Sequence, residues 1–184
     1  MNMFQVFSKK RIALQLLTLA LTGTATAAAP LEPKTENLQC ADSRVELHAD
    51  CFLYAGHMLA CTRQSLRFAS ADGKTLGTRV FKPQPIEEGD DYPVIEEKVG
   101  SMSCVETKDK QKLVVASMFN GGNCAQCEWT DVYTTDGKQV GSTRERKDRS
   151  AALTAAMEAV KDKQVNRVLN QKQLRAFYQV PAGK

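Results

Sequence analysis

Lys112-Leu113-Val114-Val115-Ala116-Ser117-Met118-Phe119-Asn120-Gly121-Gly122-Asn123-Cys124-Ala125-Gln126-Cys127-Glu128-Trp129-Thr130-Asp131-Val132-Tyr133-Thr134-Thr135 is the stretch on which the fold turns. An apolar-rich run lies on each side of a double glycine and a Cys-x-x-Cys pair, and the second run opens on the only Trp of the chain. Runs of that length, rich in β-branched and aromatic residues and bounded by turn formers, predict two strands joined by a cysteine-bearing loop. If any part of the sequence carries chemistry, this loop is the place.

Outward from it the pattern stays β. Val45, Leu47 and Phe52-Leu53-Tyr54 predict one or two strands, with a turn at Ala55-Gly56 and a return through Met58-Leu59-Ala60-Cys61. A helix over 49–61 is the alternative, since a short apolar run does not settle the period. Ser65–Ala69 alternates and Asp72-Gly73 turns it into Thr75–Phe81, a hairpin expected to use a type I′ turn with positive φ at both central residues. Asp136-Gly137-Lys138 repeats Asp72-Gly73-Lys74 in position and character, which suggests one plan used twice, with Cys51 and Cys104 on comparable strands. On that alignment 121–127 is an insertion in the second unit, and functional residues concentrate on such loops. Between the units, 82–96 carries Pro83, Pro85 and Pro93 around Glu87-Glu88-Gly89-Asp90-Asp91. It lacks the alternate spacing of a calcium loop and reads as a solvated linker.

From Arg144 the period changes. Asp148 caps an expected helix from about 149 to 168, with Leu153, Ala156, Met157, Val160, Val165 and Val168 as its apolar stripe. Asn170 with Gln173 forms a capping box, and Leu169 with Leu174 a hydrophobic staple, for a second helix to about Gln179. The stretch Val168–Leu174 is similar to the Leu-Thr-x-x-Gln motif of the Spy/CpxP family of periplasmic chaperones, with Asn170 in place of Thr. The likeness is a single copy, and no function is carried over from it.

Lys9-Lys10-Arg11, an apolar run from Ile12 to Leu21 and the small-residue run Thr24–Ala29 together have the order of a secretory signal peptide. Cleavage is expected after Ala27, and 28–184 then forms a single exported domain. The chain has 25 basic and 21 acidic residues, and the signal removes three basic residues and no acid. The remainder is close to neutral, so the sequence offers no electrostatic argument for nucleic acid. No later run is long and apolar enough to span a membrane. Residues 30–37 read as a poorly ordered lead-in to Cys40.

Six cysteines in an exported chain imply disulfides, and count alone leaves many connectivities open. Local spacing favours Cys124–Cys127 and Cys51–Cys61, leaving Cys40–Cys104.

The expected architecture is therefore α+β. It is an antiparallel β-meander of two hairpin-rich units (39–81 and 97–143), cross-linked by disulfides, with one long and one short C-terminal helix over 149–179. The expected function is binding, in the periplasm or outside the cell, with another envelope or extracellular protein as partner and with no cofactor. Inhibitor, immunity-type and envelope accessory roles fit. The candidate surface is Asn120, Gly121, Gly122, Asn123, Gln126 and Trp129, because a bridged loop loses little entropy on binding and Trp is a frequent interface anchor.

Two alternatives use the same cysteines differently. Cys124 and Cys127 could form a thiol–disulfide redox pair, but Glu128 and a strand follow where a thiolate-stabilising helix would be needed. His48, Cys51, His57 and Cys61 have metal-ligand spacing, but oxidised sulfur is a poor ligand. No hydrolase motif is present, and a Ser/His arrangement would have to use His48 or His57.

Overall fold

The computed structural model of the chain describes residues 28–54, 58–122, 124, 127–144 and 165–180. Four strands come first: β1 Glu32–Cys40, β2 Ser43–Tyr54, β3 Met58–Ser70 and β4 Thr75–Phe81. Four more follow: β5 Lys98–Thr107, β6 Lys112–Phe119, β7 Glu128–Thr134 and β8 Gln139–Ser142. The last elements are β9, Val165–Gln173, and a 3₁₀ turn, Arg175–Tyr178. Each set of four is an antiparallel meander in sequence order, and β9 adds to the free edge of β5. The result is a four-stranded sheet, β1-β2-β3-β4, and a five-stranded sheet, β8-β7-β6-β5-β9.

Period-2 alternation decides which face of each strand is buried. Along β2, Val45, Leu47, Ala49 and Cys51 point inward, while Arg44, Glu46, His48 and Asp50 alternate with them on the outer face. The inward sets of both sheets merge into one core, in which Leu47, Leu66 and Phe68 meet Met102, Val114, Met118 and Tyr133. The Phe68 and Tyr133 rings lie 5.4 Å apart across it. Cys40 on β1 bonds Cys104 on β5 and so ties one sheet to the other, while Cys51–Cys61 spans the β2–β3 hairpin and Cys124–Cys127 closes the β6–β7 loop. This is the pairing expected from spacing. Leu174 and Phe177 of the C-terminal segment are buried in the core, with the Leu174 N–H on Gly100 O at 2.9 Å.

The hairpin turns share a design that differs from the expected type I′. Gly73 N–H donates to Ser70 O and Ser70 N–H to Lys74 O, both at 2.9 Å, and only Gly73 has positive φ, at 84°. That is a three-residue connection, a type I turn closed by a left-handed residue; the register shifts further along the hairpin, between Phe68 and Ala69. Thr134–Lys138 repeats it with Gly137 at φ 90°, and Thr107–Gln111 repeats it with Lys110 at φ 66°. In all three, the hydroxyl of the first residue (Ser70, Thr107 or Thr134) donates to the carboxylate of the Asp two positions on. A glycine is also needed at Gly77, where a Cβ would overlap the Asp136 carbonyl of the β7–β8 turn. The two Asp-Gly-Lys turns close equivalent hairpins. Cys51 and Cys104 are not equivalent, however: one lies on the second strand of its meander and the other on the first.

Three expectations are overturned. The α+β class is replaced by a nearly all-β fold of two antiparallel sheets, with no long helix among the described residues. Of the expected long helix, 149–164 lies outside the described residues, and Val165–Val168 belongs to β9. The capping-box segment continues β9 to Gln173 and leaves only the 3₁₀ turn. The physical reason is the open edge of β5: its backbone groups pair with β9 through contacts such as Met102↔Lys172 and Cys104↔Asn170, which no local pattern reveals. The stretch likened to the chaperone motif is thus strand and shares none of the helical setting its capping pattern implied. Likewise, the supposed lead-in is strand β1, paired with β2 from Glu32↔Cys51 to Cys40↔Ser43. It is polar because only Leu38 and Cys40 reach the core.

Candidate functional site

The β6–β7 loop is short, bridged and turned tightly. Asn120 N–H donates to Cys127 O and Cys127 N–H to Cys124 O, each at 3.0 Å, and Gly122 N–H donates to the Asn120 side-chain oxygen at 3.2 Å. Gly121 supplies positive φ, at 81°. Gly122 lies so close to the bridge that a Cβ there would overlap Cys127 Sγ. Gly121, Gly122 and Cys124 are exposed, whereas Cys127 is buried. Asn123, Ala125 and Gln126 lie outside the described residues.

Trp129, the expected surface anchor, faces the other way. It is 5% exposed and belongs to the core between the sheets, with the Arg144 guanidinium over its ring at 4.1 Å. Period 2 explains this: Trp129 pairs with Met118, and both are on the inner face, while Thr130, Ser117 and Ser101 are on the outer one.

The outer face carries a feature that sequence reading missed. Gln173↔Ser101, Ser101↔Ser117 and Ser117↔Thr130 are directly opposed partners on β9, β5, β6 and β7. Thr143 follows β8 beside Thr130, exchanging Thr143 N–H to Thr130 O and Thr130 N–H to Thr143 Oγ1, both at 2.8 Å. One hydroxyl or amide side chain per strand thus crosses the five-stranded sheet in a straight row. The row lines a groove of about 470 Å³, which Phe119 and Glu128, opposed partners at the loop end of the hairpin, also line. Ser101 is 9% exposed. Among the described residues, no group hydrogen-bonds the side chains of Ser101, Ser117 or Gln173. The only available signal in the sequence was the polar member of each alternation, and it becomes meaningful only once the register is known.

The outer face of the four-stranded sheet has a larger groove, about 780 Å³, containing Thr35, His48, Asp50, Arg63 and Ser65. Here the polar groups satisfy one another. His48 Nδ1 is 3.2 Å from Thr35 Oγ1, and its Nε2 is 3.0 Å from Glu46. Arg44 Nε and Arg67 Nη1 each reach the same carboxylate at 2.7 Å. A hydroxyl–imidazole–carboxylate line resembles nucleophile activation. In this case the carboxylate is already neutralised by two guanidiniums, which leaves it little capacity to stabilise an imidazolium. Burial alone would raise the Glu46 carboxyl; Arg67, His48 and Arg44 outweigh it and hold it at about 2.

The alternative metal set is not assembled. Cys51 and Cys61 are bonded to each other in the core, His48 is engaged on the outer face, and His57 lies outside the described residues. Among the described residues no cluster of three or more His, Cys, Asp and Glu could hold a metal ion. The redox alternative meets the Cys124–Cys127 bridge in a hairpin loop, where strand β7 begins at Glu128 and, among the described residues, no helix dipole faces either sulfur. Among the described residues no helix is long and apolar enough to cross a membrane. No protein-family model, curated protein or solved structure matches the chain, so the reading of this site rests on its own geometry.

Proposed function

We propose that the chain is an exported, disulfide-stabilised binding protein whose working surface is the β6–β7 end of the five-stranded sheet. One observation carries this reading. A loop closed by its own bridge, with Gly122 packed on the sulfur of Cys127, exposes Gly121, Gly122 and Cys124 beside a groove whose polar side chains have unused hydrogen-bonding capacity. A surface held in one conformation before it meets a ligand loses little entropy on binding. Three formed disulfides and the signal-like N-terminus support an oxidising compartment, periplasmic or extracellular.

The test is photo-crosslinking in intact cells from Glu128, with Thr78 on the outer face of the four-stranded sheet as control. A discrete adduct, protein or glycan, is expected from Glu128 and not from Thr78. It should disappear when Cys124 and Cys127 are both changed to Ala. The same adducts from both positions, or indifference to loss of the bridge, would sink the proposal.

A further inference from the structure

From the same groove we infer that the ligand is a neutral glycan, laid across the strands of the five-stranded sheet. This deepens the binding-protein reading and rests on it.

A hydroxyl or amide with no protein partner keeps its hydrogen-bonding capacity for whatever occupies the groove. Ser101 is 9% exposed and lines the groove; its oxygen is open to solvent there, and no described group bonds its hydroxyl. Ser117 on one side of it and Gln173 on the other are also without side-chain partners. Groups of this kind, each able both to donate and to accept, suit a ligand that is itself a row of hydroxyls.

Charge narrows the class. Among the described residues, Glu128 is the only ionisable side chain lining the groove, and no cation does. Nucleic acid, phosphorylated ligands and acidic polysaccharides would therefore meet a carboxylate and, among the described residues, no counter-charge, whereas a neutral sugar can donate hydroxyls to it. Shape narrows it further. Phe119 lies against Gly100 at the bulge of β5, where a Cβ would come 3.2 Å from the ring, so the missing side chain lets the ring settle on the strand. A half-buried aromatic ring offers a flat apolar surface to the C–H face of a pyranose.

Spacing sets the direction. Adjacent strands are about 4.8 Å apart, so the five positions from Gln173 to Thr143 span about 19 Å. The interval is close to the length of one pyranose in an extended chain, and about four sugars cover the row. A groove of about 470 Å³ falls within the size range of ligand sites.

The experiment uses the full secreted chain with its bridges intact. Neutral tetrasaccharides of glucose (β-1,4 and α-1,4) and of N-acetylglucosamine are titrated while amide NMR shifts are followed, with heparin oligosaccharide as the anionic control. At least one neutral tetrasaccharide is expected to shift Gly100, Ser101, Ser117, Thr130 and Gln173 with saturable binding. Ser117→Ala and Gln173→Ala should each weaken that binding about 5- to 10-fold. Both residues are exposed, so the melting temperature should hold. The inference is overturned if no neutral tetrasaccharide shifts these amides, if heparin binds them better, or if the shifts fall on the His48 groove instead. If glycans fail but Glu128 crosslinks a protein, the inference falls and the binding surface stands. If neither is seen, both fall.

Discussion

On the outer face of the four-stranded sheet, the Glu46 carboxylate is 7% exposed and takes hydrogen bonds from Arg44, His48 and Arg67. Its value of about 2 lies below the ordinary 4.5, so it contributes stability that is complete above about 4.5 and is lost as pH falls toward 2. Glu46→Gln removes the charge that the two guanidiniums face. At pH 7 it should cost about 1–3 kcal/mol, the scale of leaving a polar partner unmatched. Urea unfolding of wild type and variant between pH 7 and pH 2 checks this: the gap should close as pH falls, and parallel curves would refute the assignment. None of this was legible beforehand. Arg67 meets Glu46 only because β2 and β3 pair in that register, 21 residues apart in sequence.

Among the elements, the disulfides differ in what they restrain. Cys40–Cys104 joins residues 64 apart in sequence and bridges the two sheets, whereas Cys124–Cys127 closes a separation of three. Restricting a longer loop removes more freedom from the unfolded chain, so replacing both members by Ala should cost about 4 kcal/mol for the first pair and about 2 kcal/mol for the last. Denaturant midpoints of the two double variants decide it; equal losses would mean that unfolded-chain entropy is not the controlling quantity. The cysteine pairing was readable from spacing because two of the bridges are local. The strand character of β2, β3, β6 and β7 was readable because their burial follows period 2. β1 and β9 were not, since one is a polar edge strand and the other carries a pattern that caps a helix equally well. Both are strands because a neighbouring edge supplied hydrogen-bond partners.

Across the whole molecule, the two meanders share one core, with the Cys40–Cys104 bridge and the Phe68–Tyr133 contact running through it. The sheets should therefore unfold together in one transition. Trp129 sits inside that core, so its fluorescence should begin at the short wavelengths of a buried indole. It should redden along the same denaturant curve as the far-ultraviolet β signal. Separate midpoints would show two independent sheets.

The sequence by itself pointed to the hairpins from β2 to β4 and from β5 to β8, to the two local bridges Cys51–Cys61 and Cys124–Cys127 and to the place of the bridged loop, because each depends on residues close together in the chain. Only the tertiary structure decided that Trp129 is core, that residues 165–173 form a strand, and that Ser101, Ser117, Thr130, Thr143 and Gln173 stand in one row. Those outcomes depend on register and on which edges meet. A slip of one residue in register exchanges inner and outer faces, and no local pattern encodes it.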